Sequence, residues 1–358
     1  MKTAHRVHAL RQRMDEQGLG ALWITNPTNR RYLSGFTGSS GYVLVTMDDA
    51  ILLSDFRYRS QAPEQAPNFT FVEHGIRVED TLAELAVEHK LARIGFEPEH
   101  MTVAQFRGYE AKVSEVEWVP SGGLVEQLRM VKDDAELRIM QEAAHLADRA
   151  YEHICSYLKP GLSEQEVALE LELFMRQGGA TSSSFETIVA SGERSALPHG
   201  VASDRILNND EFVKLDFGAY YQGYCSDITR TVVLGQPSER HREIYAIVLE
   251  AQLHALEQIK PGMTGREADA LTRDVIKRYG YSDYFGHGTG HGLGLDVHEA
   301  PRLSRMSDTV LTPGMTVTVE PGIYLPDFGG VRIEDDIVMT ETGCRRLTQS
   351  SKELRTIS

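Results

Sequence analysis

One helix boundary is written twice in this chain, and that repetition constrains the fold more than any other feature. Lys159-Pro160-Gly161-Leu162-Ser163-Glu164-Gln165-Glu166 returns 101 residues later as Lys260-Pro261-Gly262-Met263-Thr264-Gly265-Arg266-Glu267. Each copy has a Ser or Thr followed three residues on by Glu, the reciprocal cap that opens a helix. Before the first copy, Leu137, Met140, Ala144, Ala147, Tyr151 and Ile154 recur every three or four residues and so share one helical face. The helices opened by the two caps are expected to end near Gly178 and Gly280. Residues 122–358 are therefore expected to form an α+β domain of two related halves, each running helix, Lys-Pro-Gly turn, helix, strands.

Residues 1–121 read as a separate α/β domain. His5–Gly18 carries a helical pattern, and Ala21–Asn26 is an apolar strand stopped by Pro27. Gly41–Thr46 and Ala50–Ser54 flank Asp48-Asp49 as a hairpin would. Strands are expected at Phe69–Glu73 and Ala92–Phe96, with amphipathic helices at Val78–Lys90 and Thr102–Val113. Ser121-Gly122-Gly123 reads as the start of a linker. Two domains suit 358 residues, at roughly 100–200 residues per domain.

Charge and apolar pattern exclude several partners. The net charge of −15 repels a phosphate backbone, so no nucleic-acid partner is expected. No apolar run approaches the ~18 residues of a membrane helix, and the N-terminus reads as a polar helix rather than a signal peptide. Cys155, Cys225 and Cys344 are far apart in sequence, as expected of reduced thiols in a cytoplasmic protein.

The chemistry concentrates in the second domain. Leu215-Asp216-Phe217 and Ser226-Asp227-Ile228 flank a hairpin tip, Tyr220–Tyr224. If Tyr221-Gln222 is its two-residue loop, Asp216 opposes Asp227. Two like charges so placed are destabilising unless a cation lies between them. A second hairpin, with its tip at Pro326–Gly330, carries Glu320 and Glu334 on its two arms. Between the hairpins, the glycine-rich run Phe285–Glu299 holds His287, His291 and His298. Glycine allows close backbone approach, and the run contains no phosphate-binding glycine motif. Four carboxylates and an imidazole form a hard, oxygen-rich ligand set suited to Mn²⁺ rather than to a cysteine-bound structural zinc. Two divalent ions would balance four acids and acidify a water between them, which points to metal-assisted hydrolysis.

The order Asp216, Asp227, His291, Glu320, Glu334 resembles the pita-bread metallopeptidases, and within them the proline-specific branch, prolidase and aminopeptidase P. The stretches His287–Glu299, Val319–Tyr324, Val331–Asp335 and Ser195–Gly200 carry the resemblance. It implies a creatinase-like N-terminal domain and a pita-bread catalytic domain with internal pseudo-two-fold duplication. It also implies two divalent ions per chain, Mn²⁺ above Co²⁺ or Zn²⁺, held by Asp216, Asp227, His291, Glu320 and Glu334. Glu320 would also shuttle a proton, and His199 and His298 would hold the substrate carbonyl. His287 would line the site near the proline, and Arg332 would sit beside the metal carboxylates. Arg302 would pair with a substrate carboxylate. The expected substrate is a small peptide with proline in second place, cleaved by a homodimer. Chain length and Arg302 favour the dipeptidase. The aminopeptidase acting on longer peptides, a metal-free C–N hydrolase and a non-catalytic binding protein on the same fold are the alternatives. Two positions depart from the family pattern, Arg194 near the pocket entrance and Asn209 at a turn that suits a left-handed residue.

Overall fold

The structure, a computed structural model, describes residues 3–357. Backbone contacts divide the chain into Met1–Arg129 and Met130–Ser358.

The first unit runs α1 (Thr3–Glu16), β1 (Ala21–Ile24), α2 (Pro27–Ser34), β2 (Tyr42–Thr46), β3 (Ala50–Ser54), α3 (Gln61–Gln65), β4 (Thr70–Glu73), α4 (Val78–Glu88), β5 (Arg93–Phe96), α5 (Val103–Lys112), β6 (Glu117–Pro120) and α6 (Leu124–Arg129). Its strands form one mixed sheet in the order β4-β3-β2-β1-β5-β6. The hairpin around Asp48-Asp49 is the β2–β3 pair, with Val45 opposite Ala50. β1 ends at Ile24, short of the expected Asn26, with the Thr25 and Asn26 amides donating to Glu97 (2.7 and 2.8 Å), and Pro27 opens α2: the Asn26 side chain accepts from the amides of Thr28 (2.8 Å) and Asn29 (3.4 Å), and proline fits the first helical turn. Ser121-Gly122-Gly123, expected to start a linker, leads directly into α6. Asn29 donates to Glu126 (2.6 Å) and accepts from Arg129 (2.8 Å), which ties α6 into this unit. The division therefore falls after Arg129 rather than at 121/122.

The second unit begins with α7 (Asp134–Tyr157), α8 (Glu164–Gln177), β7 (Ser182–Ser183), β8 (Ile188–Ser191), β9 (Glu211–Phe217), β10 (Ala219–Tyr221), β11 (Tyr224–Cys225) and β12 (Ile228–Leu234). It continues with α9 (Glu239–Gln258), α10 (Gly265–Arg278), β13 (Gly290–Gly292), β14 (Glu299–Leu303), β15 (Thr316–Val319), β16 (Gly322–Leu325), β17 (Gly329–Arg332), β18 (Asp335–Met339), β19 (Cys344–Arg346) and β20 (Thr356–Ile357).

The duplication is visible bond by bond. Gly161 and Gly262 both take positive φ, 95° and 90°. Their amides donate to Leu207 (3.0 Å) and Leu311 (2.9 Å), and those two residues donate back to Leu162 and Met263, each at 2.8 Å. Ser163 and Thr264 cap α8 and α10 with complete capping boxes. The first half stacks its helices on β20-β12-β9-β8, the second on β14-β13-β15-β18-β19. Each half has its own core, one including Tyr151, Leu171 and Leu215, the other Ile259, Val317 and Ile337. Each fully buried aliphatic side chain of this kind contributes about 1.5–3 kcal/mol relative to exposure. These cores fix the strands whose ends carry the polar residues described next.

Candidate metal centre and active site

The first acidic pair stands on β9 and at the start of β12. Tyr221 pairs with Tyr224, so the two-residue loop is Gln222-Gly223 rather than Tyr221-Gln222. Both loop residues take positive φ, 49° and 92°, the backbone that a tight hairpin of matching twist requires. Asp216 accordingly faces Thr229, and the expected direct opposition to Asp227 is displaced by two residues. Side chains alternate with a period of two, so this shift keeps both carboxylates on one face. The second pair sits where β15 gives way to β16 and β17 to β18. Val319 pairs with Asp335 and Gly322 with Arg332, which leaves Glu320 and Glu334 on facing arms.

His291 lies at the centre of β13, between the two hairpins. Gly290 and Gly292 on either side are sterically required: a Cβ there would lie 1.9 Å from Thr318 O and 2.2 Å from Ala300 O. Nδ1 of His291 faces Gly292 O at 3.1 Å. With the proton held there, Nε2 presents a lone pair, and it faces Glu320 Oε1 at 3.3 Å and Asp227 Oδ2 at 3.7 Å. Burial lowers the His291 pKa to about 3, so the ring is neutral at pH 7. Three acceptors thus point at one another. Potential ligand atoms of Asp227, His291 and Glu334 all lie within 4.8 Å of each other.

The carboxylates carry the same strain. Burial first, then neighbouring acids, raise Asp227 and Glu334 well above the ordinary carboxylate range. Burial pushes Glu320 up to about 7 against the pull of Arg332. Oδ1 of Asp216 and Oδ1 of Asp227 are buried without a hydrogen-bond partner. Buried acceptors without donors are rare and costly, and a hard divalent cation satisfies all of them together. The residues present therefore fit such an ion.

The remaining polar groups form a frame. Arg332 is buried and holds Asp216 Oδ2; its Nε donates to Thr229 Oγ1 (3.0 Å), and Thr229 in turn donates to Glu334 Oε2 (2.6 Å). Arg332 Nη1 also donates to Tyr324 OH and to Pro198 O, both at 2.9 Å. Tyr324, having accepted from Arg332, gives its own proton to His287 Nε2 (2.7 Å), and His287 Nδ1 then donates to Gly288 O (2.7 Å). Both ring nitrogens of His287 are thus engaged, and burial plus the Arg332 charge lower its pKa to about 4. His298 packs edge-on against His291, centroids 4.4 Å apart. Arg302 stands opposite His291 on β14, with its side chain exposed.

All ten residues singled out from the sequence line one cavity of about 520 Å³, with His199, His298 and Arg302 at its exposed side. Two further residues were not anticipated. Tyr324 closes the network between Arg332 and His287, and buried Lys214 donates from Nζ to Ser195 O, Leu197 O and Pro198 O. Burial and the Arg332 charge lower the Lys214 pKa. Arg194 points to α8, bonding Glu164 (3.1 Å) and Val201 O (2.7 Å), and is not part of the cavity wall. The left-handed residue of the 209–210 turn is Asp210, φ 63°, rather than Asn209.

A duplicated α+β domain with paired acids at the junction of its halves, preceded by an α/β domain, is the architecture of the pita-bread metallohydrolases. The chain belongs to metallopeptidase family M24, whose family model matches residues 138–341; the Creatinase/Prolidase N-terminal domain model matches residues 6–131. It is similar to the solved structure of an Xaa-Pro dipeptidase from Bacillus anthracis, 52% identical with a TM-score of 0.98, over 99% of this chain and 100% of that one. An Xaa-Pro dipeptidase of Pyrococcus furiosus is 41% identical over 98% of this chain and 99% of its own length. The structure of an X-Pro aminopeptidase from Thermotoga maritima is 38% identical with a TM-score of 0.91, covering 96% of this chain and 100% of that one.

Proposed function

We propose that this protein is a dinuclear-metal Xaa-Pro dipeptidase of the cytoplasm, with Mn²⁺ as the preferred ion. The observation that carries the reading is the side-by-side placement of Arg302 and the acid–imidazole cluster in one cavity. A cavity of about 520 Å³ suits a dipeptide, at the scale of small-ligand sites of ~300–1,000 Å³. The exposed guanidinium gives a free proline carboxylate a fork-shaped partner. The dipeptidase names of the Bacillus anthracis and Pyrococcus furiosus proteins support the same substrate class. Three unpaired cysteines agree with a reducing compartment.

Asp216, Asp227, His291, Glu320 and Glu334 would hold the ions. When bound, divalent cations supply an acidified water and an electrophilic pull on the scissile carbonyl. The chain's own residues do the rest. Glu320, fixed by Thr318 Oγ1 at 3.0 Å, takes a proton at its carboxylate and returns it to the departing proline nitrogen. His199 and His298 donate to the carbonyl oxygen as it gains charge. Arg332 keeps Asp216 aligned. His287, with its neutral ring held by Tyr324, offers the proline an apolar face.

The test is a chelated protein reloaded separately with Mn²⁺, Co²⁺ or Zn²⁺ and assayed on an Xaa-Pro dipeptide and an Xaa-Pro-Yaa tripeptide. Restored turnover of the dipeptide alone supports the dipeptidase. Preferred cleavage of the tripeptide establishes the aminopeptidase, a reading favoured by the likeness to the Thermotoga maritima structure.

A further inference from the structure

Lys214 stands in the middle of β9, two residues before Asp216 and on the same face of the strand. Its side chain is wholly buried, yet its hydrogen-bond partners are backbone oxygens of one short segment. Nζ donates to Ser195 O at 3.1 Å, Leu197 O at 2.5 Å and Pro198 O at 3.3 Å, and lies 5.1 Å from the centre of the Tyr324 ring. A lysine ammonium has three N–H donors, and here three carbonyls meet them. These carbonyls end a single 3-10 turn, Gly192–Ala196, and lead directly into His199.

The same segment is fastened at other points. Ser195 Oγ accepts from Gly330 N (2.8 Å) and donates to Gly192 O (2.5 Å). Pro198 O is shared between Lys214 and Arg332, and Arg332 also holds Asp216. One continuous frame therefore runs from the backbone before His199, through Pro198 and Arg332, to an expected metal carboxylate. The His199 side chain is exposed in the cavity, so its aim depends on its backbone. Burying a lysine is costly. A methionine would fill similar volume but leave the three inward carbonyls short of donors.

We propose that Lys214 is a positioning residue for His199, gathering the carbonyls of residues 195–198 so that the imidazole stays aimed at the substrate carbonyl. This rests on the reading of His199 as the donor to that oxygen. The test is a double-mutant cycle in the full-length, Mn²⁺-loaded protein, with wild type, Lys214→Met, His199→Ala and the double variant assayed on an Xaa-Pro dipeptide. A displaced catalytic group costs on the order of 10- to 100-fold, so Lys214→Met is expected to lower kcat by that factor, with KM and metal content little changed. In the His199→Ala background the same substitution should change kcat by less than about twofold, because residues acting through one another are not additive. An equal loss of kcat in both backgrounds overturns the proposal, as does a Lys214→Met protein with wild-type kcat. If wild type cleaves no Xaa-Pro substrate, or His199→Ala costs nothing, the reading of the site fails and this inference with it. Should Lys214→Met not fold, Ser195→Ala enters the same cycle: it frees the segment from Gly330, non-additivity is again expected, and additivity again overturns the proposal.

Discussion

Nε2 of His291 turns a lone pair toward two carboxylates because Nδ1 is committed to the Gly292 carbonyl. That arrangement fits a cation site, since a metal-bound histidine typically spends its other nitrogen on a backbone acceptor. Roles assigned to single residues have single-residue tests. Replacing His298 with Ala is expected to lower kcat about 100- to 1,000-fold, with bound Mn²⁺ unchanged by metal analysis. Arg302→Ala should raise KM for an Xaa-Pro dipeptide about tenfold, one charged hydrogen bond's worth, and leave a tripeptide's KM near wild type; equal effects on both substrates would sink the carboxylate-reading role. Residue types and spacing made the acids and histidines legible, because Asp in a strand and three histidines in a glycine run have few apolar explanations. Tyr324 and Lys214 were not legible. Tyrosine is common in strands, a strand lysine normally faces solvent, and only the tertiary structure shows Lys214 covered by the segment before His199.

At the scale of elements, the two glycines beside His291 set how closely β13 approaches β14 and β15. A methyl at residue 290 would lie 1.9 Å from Thr318 O. Gly290→Ala should therefore cost about 1–3 kcal/mol through overpacking, read as a lower thermal midpoint, and should weaken Mn²⁺ binding because β13 carries His291. The helix starts were readable because capping boxes are local. The hairpin register was less so. Alternation alone leaves the loop uncertain by a residue or two, and the decision rests on which residues take positive φ, here Gln222 and Gly223. Helix α6 escaped notice because its six residues are too few to show a period; contacts from Asn29, distant in sequence, hold it.

Across the whole molecule, protons and divalent ions compete for the same acids. Asp227 and Glu334 are raised by burial and mutual repulsion, and Glu320 sits at about 7. In the metal-free protein these groups hold protons that a cation must displace, so binding strengthens as pH rises. The upward shift of the thermal midpoint on adding Mn²⁺ should accordingly be larger at about pH 8 than at about pH 6; the reverse order would mean that the acids do not bind the ion. Among the described residues no helix is long and apolar enough to cross a membrane.

The two halves of the second unit each bring an acidic pair, Asp216 with Asp227 and Glu320 with Glu334. An ion gripped by both would become a removable rivet between the two repeats. It closes a loop of about a hundred residues, as a disulfide would, but reversibly and under the control of metal supply. Chelation should then do more than stop turnover: it should let the halves breathe apart, with amide exchange rising first at β13 and at the edges where the repeats meet.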